Sequence, residues 1–337
     1  MEFGPVPVAA ALGMILGHSQ RAGDRSLPKG RVLDPADVAA LAGAGLTEVI
    51  VARPSPGDLP ENEAAARLAT ALVPDPAASF LRISPASAGR VNLHATVPGV
   101  VLADAARIHA LNALDPEVTL ATLAPYARVA PGTMVATIKI ITYAVPGALI
   151  GRAEAGLAGA LRVQPVQRRT AALVLTEVPG QPARLAEKAR RSVAARLARL
   201  GIELTGLRVV PHDVPPLAQA LSELPGEMLL ILTGSATSDP ADTAPSALRA
   251  AGGVVVRFGM PVDPGNLLFH GHLGARPVIG LPGCARSPAL NGADLVLERL
   301  ACGLTVGDED IARMGLGGLL KEIPSRPRPR EAGEDHL

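Results

Sequence analysis

The sequence is poor in aromatic residues and carries no basic excess. Only 2% of its 337 residues are aromatic, and tryptophan is absent. Surfaces that hold single-stranded nucleic acid by base stacking therefore have few candidates. The chain has 32 basic and 31 acidic residues, a formal net charge of +1, whereas nucleic-acid-binding domains usually show a clear basic excess. We therefore expect no nucleic-acid partner.

Cysteine is also scarce, and no long apolar run suggests a membrane segment. Cys284 and Cys302 are too few for a disulfide framework or a four-cysteine metal site, which is typical of a reducing compartment. The uncharged run at 3–17 follows Glu2 rather than a basic region, so it does not look like a signal peptide. It is too short to span a bilayer. We predict a buried helix there, a cytoplasmic location and no membrane partner.

The composition is that of a folded protein with two or three domains. Apolar residues make up 48% of the chain, enough to build a sizeable core. We predict a small α/β segment at 1–75, a β-rich module at 76–165 and a larger α/β domain at 166–310. The remaining residues, 311–337, are rich in proline and charge towards their end. We predict that this tail is largely disordered.

Local patterns place helices and strands in the first two segments. An apolar stretch predicts a short helix at 8–16. Asp34 with Pro35 is typical of a helix start. Further elements are predicted as a strand at 47–52, a helix at 62–72 and a helix near 103–113 within the β-rich module.

Strand and helix patterns alternate through 166–310, which favours a mostly parallel sheet with helices on both faces. The uninterrupted apolar run Met228–Leu232 suits a central strand that is buried on both sides. Strands are predicted at 171–178, 205–210, 228–233 and 254–258, a hairpin pairs 267–273 with 276–281, and helices are predicted at 184–200, 214–224, 243–251 and 291–303.

A small, hydroxyl-rich loop follows the predicted central strand. Backbone N–H groups in such a loop, with a helix N-terminus behind them, can approach an anion closely. Two carboxylates in the same loop are candidate Mg²⁺ ligands. The alternative is a polar connection whose carboxylates only cap a helix, with Thr243 as N-cap. The candidate residues are Thr233, Gly234, Ser235, Thr237 and Ser238 for an anion, and Asp239 and Asp242 for the metal.

Two Pro-Gly turns follow, and a few other residues could carry chemistry. The first turn contains Pro264, Gly265 and Asn266, and the second contains Pro282, Gly283, Arg286 and Ser287. The second turn precedes a helix, which favours anion binding, and Arg286 suits a phosphate. Three further features have a structural and a functional interpretation: Cys284 as a structural or reactive thiol, His270 with His272 as a hairpin surface or metal ligands, and His212-Asp213 at a strand end as a connection or a binding element.

Residues of about 170–305 resemble the molybdopterin-binding domain shared by molybdopterin adenylyltransferases and molybdopterin molybdenumtransferases, the MogA/MoeA group. The family's Thr-Gly-Gly loop is similar to Thr233-Gly234-Ser235. Its Pro-Gly-Lys-Pro turn is similar to residues 264–267. Its Gly-Leu-Pro-Gly-Asn-Pro-Val-Ser turn is similar to residues 280–287. A weaker likeness, at 29–51, is to the molybdenumtransferase segment that precedes the pterin-binding domain.

The sequence departs from the family at several loop positions. Ser235 replaces the second glycine, Cys284 replaces an asparagine, and Asp263 and Asn266 replace the two lysines that flank the Pro-Gly turn. These departures favour binding of the pterin and its phosphate over the complete molybdate-insertion reaction. The chain also resembles the front part of bacterial fusions with a molybdenum-cofactor nucleotidyltransferase. No segment shows that enzyme's Gly-rich, Arg-bearing nucleotide loop, so we expect nucleotidyl transfer in a separate partner.

The resemblance implies a protein that binds molybdopterin or its nucleotide form during synthesis or maturation of the molybdenum cofactor. Its role would be that of a carrier or of an Mg²⁺-dependent transferase, and we expect a homo-oligomer. The alternative is an Mg²⁺-dependent nucleotide-pyrophosphate hydrolase on the same fold. The catalytic and metal candidates are Asp239 and Asp242. Molybdopterin would bind at Thr233, Gly234, Ser235, Thr237, Ser238, Pro264, Gly265, Asn266, Pro282, Gly283, Arg286 and Ser287.

Overall fold

The computed structural model describes residues 1–180, 182 and 184–320, which form two compact units. The first unit holds residues 1–97 and 101–164, and the second holds residues 98–100 and the described residues from 165 onward. The elements of the first 165 residues are β1 (Glu2–Pro7), β2 (Ile15–Leu16), β3 (Gln20–Ala22), β4 (Arg25–Leu27), α1 (Pro35–Gly43), β5 (Glu48–Arg53), β6 (Asp58–Pro60), α2 (Glu61–Leu72), β7 (Leu81–Ile83), β8 (Arg90–Ala95), β9 (Gly99–Ala103), α3 (Ala105–Asn112), β10 (Val118–Thr122), β11 (Arg128–Val129), β12 (Met134–Ile140), β13 (Ala144–Pro146), α4 (Gly147–Glu154) and β14 (Leu161–Pro165).

The N-terminal apolar run is a strand, so the predicted buried helix is wrong. β1 pairs antiparallel with β5, a single 3₁₀ turn follows at Val8–Ala10, and β2 pairs with the other side of β5. Pro5 and Pro7 exclude a helix at the start of the run, because proline lacks an amide hydrogen and is excluded from helix interiors. The predicted helix at 8–16 is also wrong, since this stretch forms only the 3₁₀ turn before β2. The apolar character of the run was read correctly, but its prolines were given too little weight.

The other predicted elements of this part agree with the structure. Asp34 caps α1, and its carboxylate accepts a hydrogen bond from the Asp37 amide at 2.8 Å. β5, α2 and α3 lie where the patterns place them. The structure adds α4, which the sequence analysis did not predict.

The β-rich part forms one core together with α2. Sheet β10-β12-β8-β7 is antiparallel, and buried alanines and leucines of α2 pack in the same cluster as the apolar residues of this sheet and of α4. The expected boundary between residues 75 and 76 therefore does not separate two cores.

The second unit contains the predicted sheet. Its elements are β15 (Thr170–Glu177), α5 (Arg184–Ala198), β16 (Glu203–Pro211), α6 (Val214–Glu223), β17 (Met228–Leu232), α7 (Thr243–Ala250), β18 (Val254–Phe258), β19 (Phe269–Leu273), β20 (Arg276–Leu281), α8 (Gly292–Ala301) and α9 (Asp308–Ala312). The strand order is β16-β15-β17-β20-β19-β18, and the first four strands are parallel. β19 runs antiparallel to both of its neighbours, β20 and β18.

Helices cover both faces of this sheet. α5 and α8 pack on one face and α6 and α7 on the other. Every residue of β17 is buried, as expected for a central strand in a parallel sheet. The predicted α/β class is therefore confirmed.

Packed structure continues beyond residue 310. Ile311 and Met314 are buried in the core of the second unit, and the Leu320 amide donates to the Asp263 carbonyl at 2.9 Å. The expected disordered tail does not begin at 311, and its part at 321–337 lies outside the described residues. Within the described part of the chain, no helix combines the length and the apolar character needed to cross a membrane.

Candidate functional site

The loops singled out in the sequence emerge at one edge of the six-stranded sheet. Leu175, Leu232 and Leu281 are register neighbours at the carboxyl ends of β15, β17 and β20. The antiparallel strands β19 and β18 place the loop 259–268 at the same edge, since Phe269 pairs with both Gly280 and Phe258. In open α/β sheets, ligands bind beyond the carboxyl ends of the strands. We call this end of the sheet the carboxyl edge.

Two threonine hydroxyl groups in the loop after β17 form hydrogen bonds within that loop. The Thr233 hydroxyl donates to the Ser235 carbonyl oxygen at 2.5 Å and lies 3.3 Å from the Thr237 hydroxyl oxygen. Both threonines are buried, whereas Ser235 and Ser238 are exposed. The structure therefore assigns the threonines to shaping the loop and leaves the serines facing outwards.

A buried threonine that the sequence analysis missed joins the ends of three strands. The Thr176 hydroxyl accepts a hydrogen bond from the Gly234 amide at 2.9 Å and lies 2.8 Å from His212 Nδ1. His212, which follows β16, thus belongs to the scaffold of the carboxyl edge. The sequence signal that could have revealed Thr176 is a hydroxyl residue near the end of a predicted strand.

Both candidate metal-binding carboxylates accept backbone hydrogen bonds. Asp242 caps α7 through the Thr243 amide at 2.6 Å and also accepts from the Ser238 amide at 3.1 Å. Asp239 accepts from the Ala241 amide at 2.7 Å. The predicted alternative of helix capping is correct for this loop, although the N-cap is Asp242 and not Thr243.

The carboxylates do not complete a metal site. Among the described residues, no group of three or more histidine, cysteine, aspartate or glutamate side chains could hold a metal ion. The donor set therefore does not support Mg²⁺ binding by Asp239 and Asp242. His270 is buried rather than on the hairpin surface, while His272 is exposed.

The first Pro-Gly turn is packed against the start of α8. A Cβ atom on Gly265 would lie 2.8 Å from the Gly292 amide nitrogen, and the Gly265 φ is +147°. The Gly292 amide donates to the Pro264 carbonyl at 2.8 Å, and the Asn266 amide group donates to the Met260 carbonyl at 3.4 Å. Pro264 and Gly265 are buried, and the contacts described here pack the turn against α8, so their place in the ligand site stays a prediction.

The second Pro-Gly turn is linked to the first loop by an arginine. Arg286 donates through Nη2 to the Thr233 carbonyl at 2.6 Å and through Nη1 to the Gly283 carbonyl at 3.4 Å. Burial lowers the pKa of Arg286 from its usual value. Arg286 also lines a small recess with Thr176 and Glu177. We call this recess at the carboxyl edge the edge recess. Gly283 and Ser287 are exposed and Pro282 is buried.

A second arginine, which the sequence analysis did not single out, is hydrogen-bonded to the same turn. Arg196 of α5 is only 5% exposed, and its Nε donates to Asp294 at 2.7 Å. Its remaining nitrogens donate to the carbonyl groups of Ala285, Ser287 and Ala289 at 2.8, 2.8 and 3.0 Å. An arginine on the apolar stripe that includes Ala189, Val193 and Leu197 was the signal that could have revealed it.

The two cysteines should differ sharply in reactivity. Cys284 is exposed in the second Pro-Gly turn, whereas Cys302 is buried, and burial raises the pKa of Cys302 to about 12. Because the thiolate is the reactive form, we expect iodoacetamide at pH 8 to modify Cys284 alone in the folded protein. Mass spectrometry of labelled peptides measures this. A Cys284→Ser variant should remain unlabelled until denaturant is added, and rapid labelling of Cys302 would contradict the assignment.

Comparisons with known proteins match two parts of the chain to family models. Residues 172–301 match the model of the family described as "Probable molybdopterin binding domain". Residues 5–53 match a family described as "Domain of unknown function (DUF8806)". No curated protein matches the chain.

Solved structures with a similar chain trace include three proteins. A molybdopterin biosynthesis MoeA protein from Pyrococcus shares 15% identity over 90% of this chain and 75% of that chain, with a TM-score of 0.31. The molybdopterin biosynthesis enzyme MoaB from Thermus shares 17% identity over 40% and 97%, with a TM-score of 0.27. A MogA structure shares 22% sequence identity over 40% of this chain and 91% of that chain, with a TM-score of 0.26.

All three TM-scores are below 0.5. The family match covers less than half of the chain. It includes β17, both Pro-Gly turns and all of α8. Residues 172–301 are therefore similar to the family described as "Probable molybdopterin binding domain".

Proposed function

We propose that the carboxyl edge of the second unit binds molybdopterin or its nucleotide form, and that the protein acts as a molybdopterin carrier in molybdenum cofactor biosynthesis. The observation that carries this proposal is the family match over residues 172–301, because all the loops gathered at the carboxyl edge lie inside it. The edge is also where the strand topology of an α/β sheet favours ligand binding.

The groups that face outwards at the edge suit the phosphate of such a ligand. Ser235 and Ser238 offer exposed hydroxyl groups in the loop that precedes α7, whose N-terminus favours an anion. Arg286 adds a cation close to this loop through its bond to the Thr233 carbonyl. The exposed Gly283 and Ser287 would form the neighbouring surface for the pterin.

The carrier role rests on the charges at the first Pro-Gly turn. Asp263 and Asn266 stand where the resemblance places two lysines in molybdenumtransferases, and the Asn266 amide bonds within its own turn. Among the described residues that line the edge recess, Arg286 supplies the one cation. We propose that a separate nucleotidyltransferase receives the ligand and that the protein is a homo-oligomer.

Calorimetric titration of the full chain with molybdopterin tests the binding proposal. We expect a dissociation constant near micromolar, roughly −8 kcal/mol. Gly283→Val should weaken binding at least about tenfold, equivalent to about 1.4 kcal/mol, with the fold intact. A Cβ at Gly283 would meet only Arg286 Nη1, at 3.4 Å, and Gly283 has no left-handed φ. The expected loss therefore comes from a side chain that blocks the ligand surface and not from backbone strain.

Gly151→Val is the matched control, because Gly151 lies in α4 and a Cβ there would meet no neighbour within 4 Å. It should leave the affinity unchanged. Absence of binding heat, together with absence of competition by any pterin phosphate, would disprove the proposed function.

The Asp239→Asn variant distinguishes the carrier role from the transferase role. Asp239→Asn keeps an oxygen that can accept the Ala241 amide bond and removes the charge. For a carrier, neither the wild type nor the variant turns over adenylylated molybdopterin with molybdate and Mg²⁺, and the variant's molybdopterin affinity stays equal or rises. Mg²⁺-dependent turnover in the wild type that the substitution abolishes would show a transferase instead.

A further inference from the structure

A second cavity lies at the other end of the six-stranded sheet. Its volume is about 310 Å³, within the range of small-molecule pockets. Pro277, near the start of β20, is part of its wall, which places the cavity away from the carboxyl edge. We call it the amino-end cavity. Its other main lining residues are Val256, His270, His272, Leu300 and Val306.

A buried histidine provides the polar group of this cavity. His270 is 2% exposed, and its Nε2 is buried without a hydrogen-bond partner in the part of the chain that the structure describes. Its side chain lies on the sheet face opposite to the neighbouring Phe269, whose ring packs with α6 and α7. Leu300 and Val306 belong to the same face as His270, so the ring and the apolar wall meet.

The histidine is neutral in this setting. Burial, with a smaller contribution from the charge of Arg257, lowers the pKa of His270 from its ordinary value. The Arg257 guanidinium is itself engaged by Asp308 at 2.7 Å and by the Gly259 carbonyl at 3.1 Å. Because a buried polar atom without a partner is destabilising, a ligand group that bonded Nε2 would relieve that cost.

The other residues of the wall are mostly apolar, with His272 and Thr305 as the polar exceptions. Besides Leu300 and Val306, the adjoining face of the edge strand β18 exposes Val254 by 50% and Val256 by 41%. Apolar surface of this kind around one unbonded polar atom is the usual composition of a small-ligand pocket, and it disfavours a charged ligand.

We propose that the amino-end cavity binds a small, neutral, mainly apolar molecule that carries one hydroxyl or N–H group, with that group hydrogen-bonded to His270 Nε2. This site is separate from the proposed molybdopterin site. A phenol hydroxyl suits the nitrogen in either tautomer, because a hydroxyl both donates and accepts.

Ligand-observed NMR with the full chain tests the proposal, using 4-methylphenol and toluene as a matched pair of probes. We expect 4-methylphenol to bind about tenfold or more tightly than toluene, the difference expected from one hydrogen bond to a buried group. His270→Phe should remove that preference. Ala275→Phe, at an exposed position on the cavity wall, should abolish binding of both probes without altering the core.

His109→Gln is the control, because His109 is an exposed histidine of α3 that does not line the cavity, and it should leave both affinities unchanged. Binding of neither probe, equal affinity for both, or binding that survives Ala275→Phe would each overturn the proposal. Self-association of the wild type that Ala275→Phe removes, with no probe binding, would overturn it in favour of contact with a second copy of the chain.

Discussion

Replacement of Arg196 by methionine is expected to lower the free energy of unfolding by about 3–5 kcal/mol, the usual cost of removing one partner of a buried ion pair. Arg196 is the buried partner of Asp294 and also serves three carbonyl groups of the second Pro-Gly turn. Methionine fills similar space but leaves the Asp294 carboxylate without its cation. Since whole domains are stable by only about 5–15 kcal/mol, urea unfolding should show the loss clearly.

Arg190→Met is the matched control on the same helix. Arg190 pairs with Glu187 at the exposed surface of α5, where an ion pair contributes at most about 1 kcal/mol. Adding Asp294→Asn to Arg196→Met should recover part of the loss, because the amide oxygen still accepts the Asn291 amide bond of the helix cap without a buried charge. Equal effects of Arg190→Met and Arg196→Met would contradict the role given to Arg196.

Replacement of Arg286 by methionine is expected to reduce molybdopterin affinity about 10- to 100-fold with the fold preserved. A hydrogen bond to a charged group contributes about 1.5–3 kcal/mol, and each 1.4 kcal/mol corresponds to a factor of about ten. Arg286 both supplies the cation of the edge recess and holds the Thr233 carbonyl in place. Calorimetry measures the affinity, and the melting temperature shows whether the fold is intact.

Arg276→Met provides the control for this experiment. Arg276 also donates to two backbone carbonyl groups, of Leu224 and Leu221 at 2.8 and 3.1 Å, but it lies at the start of β20, away from the carboxyl edge. Its replacement should cost stability without affecting the affinity. If both variants bind molybdopterin as the wild type does, Arg286 has no part in the site.

Much of the second unit could be predicted from the sequence, because its signals are local and agree with one another. The apolar run of β17 fits its central place in the sheet. In the first unit, Asp34 likewise fits its role as the cap of α1. The N-terminal strand β1 was missed because its apolar character was weighed without Pro5 and Pro7, which exclude a helix.

The candidate site was harder to predict, because side-chain partners depend on contacts between segments far apart in the chain. Thr233 and Thr237 have the right chemistry for an anion, but their hydroxyls are turned towards the loop. Arg196 contacts residues about ninety positions away, and no local pattern names such partners. Gly265 was recognised as a turn residue. The contact that requires a glycine there, the close approach of Gly292 in α8, could not be read from the sequence.

Amide hydrogen exchange of the full chain, with and without molybdopterin, tests the central claim most directly. The account predicts slower exchange on binding in the loops 233–243 and 282–288, which meet at the carboxyl edge of the sheet. The strands of the first unit, such as β8 and β12, should exchange at unchanged rates. Binding that protects other segments and leaves both loops unchanged would contradict the account.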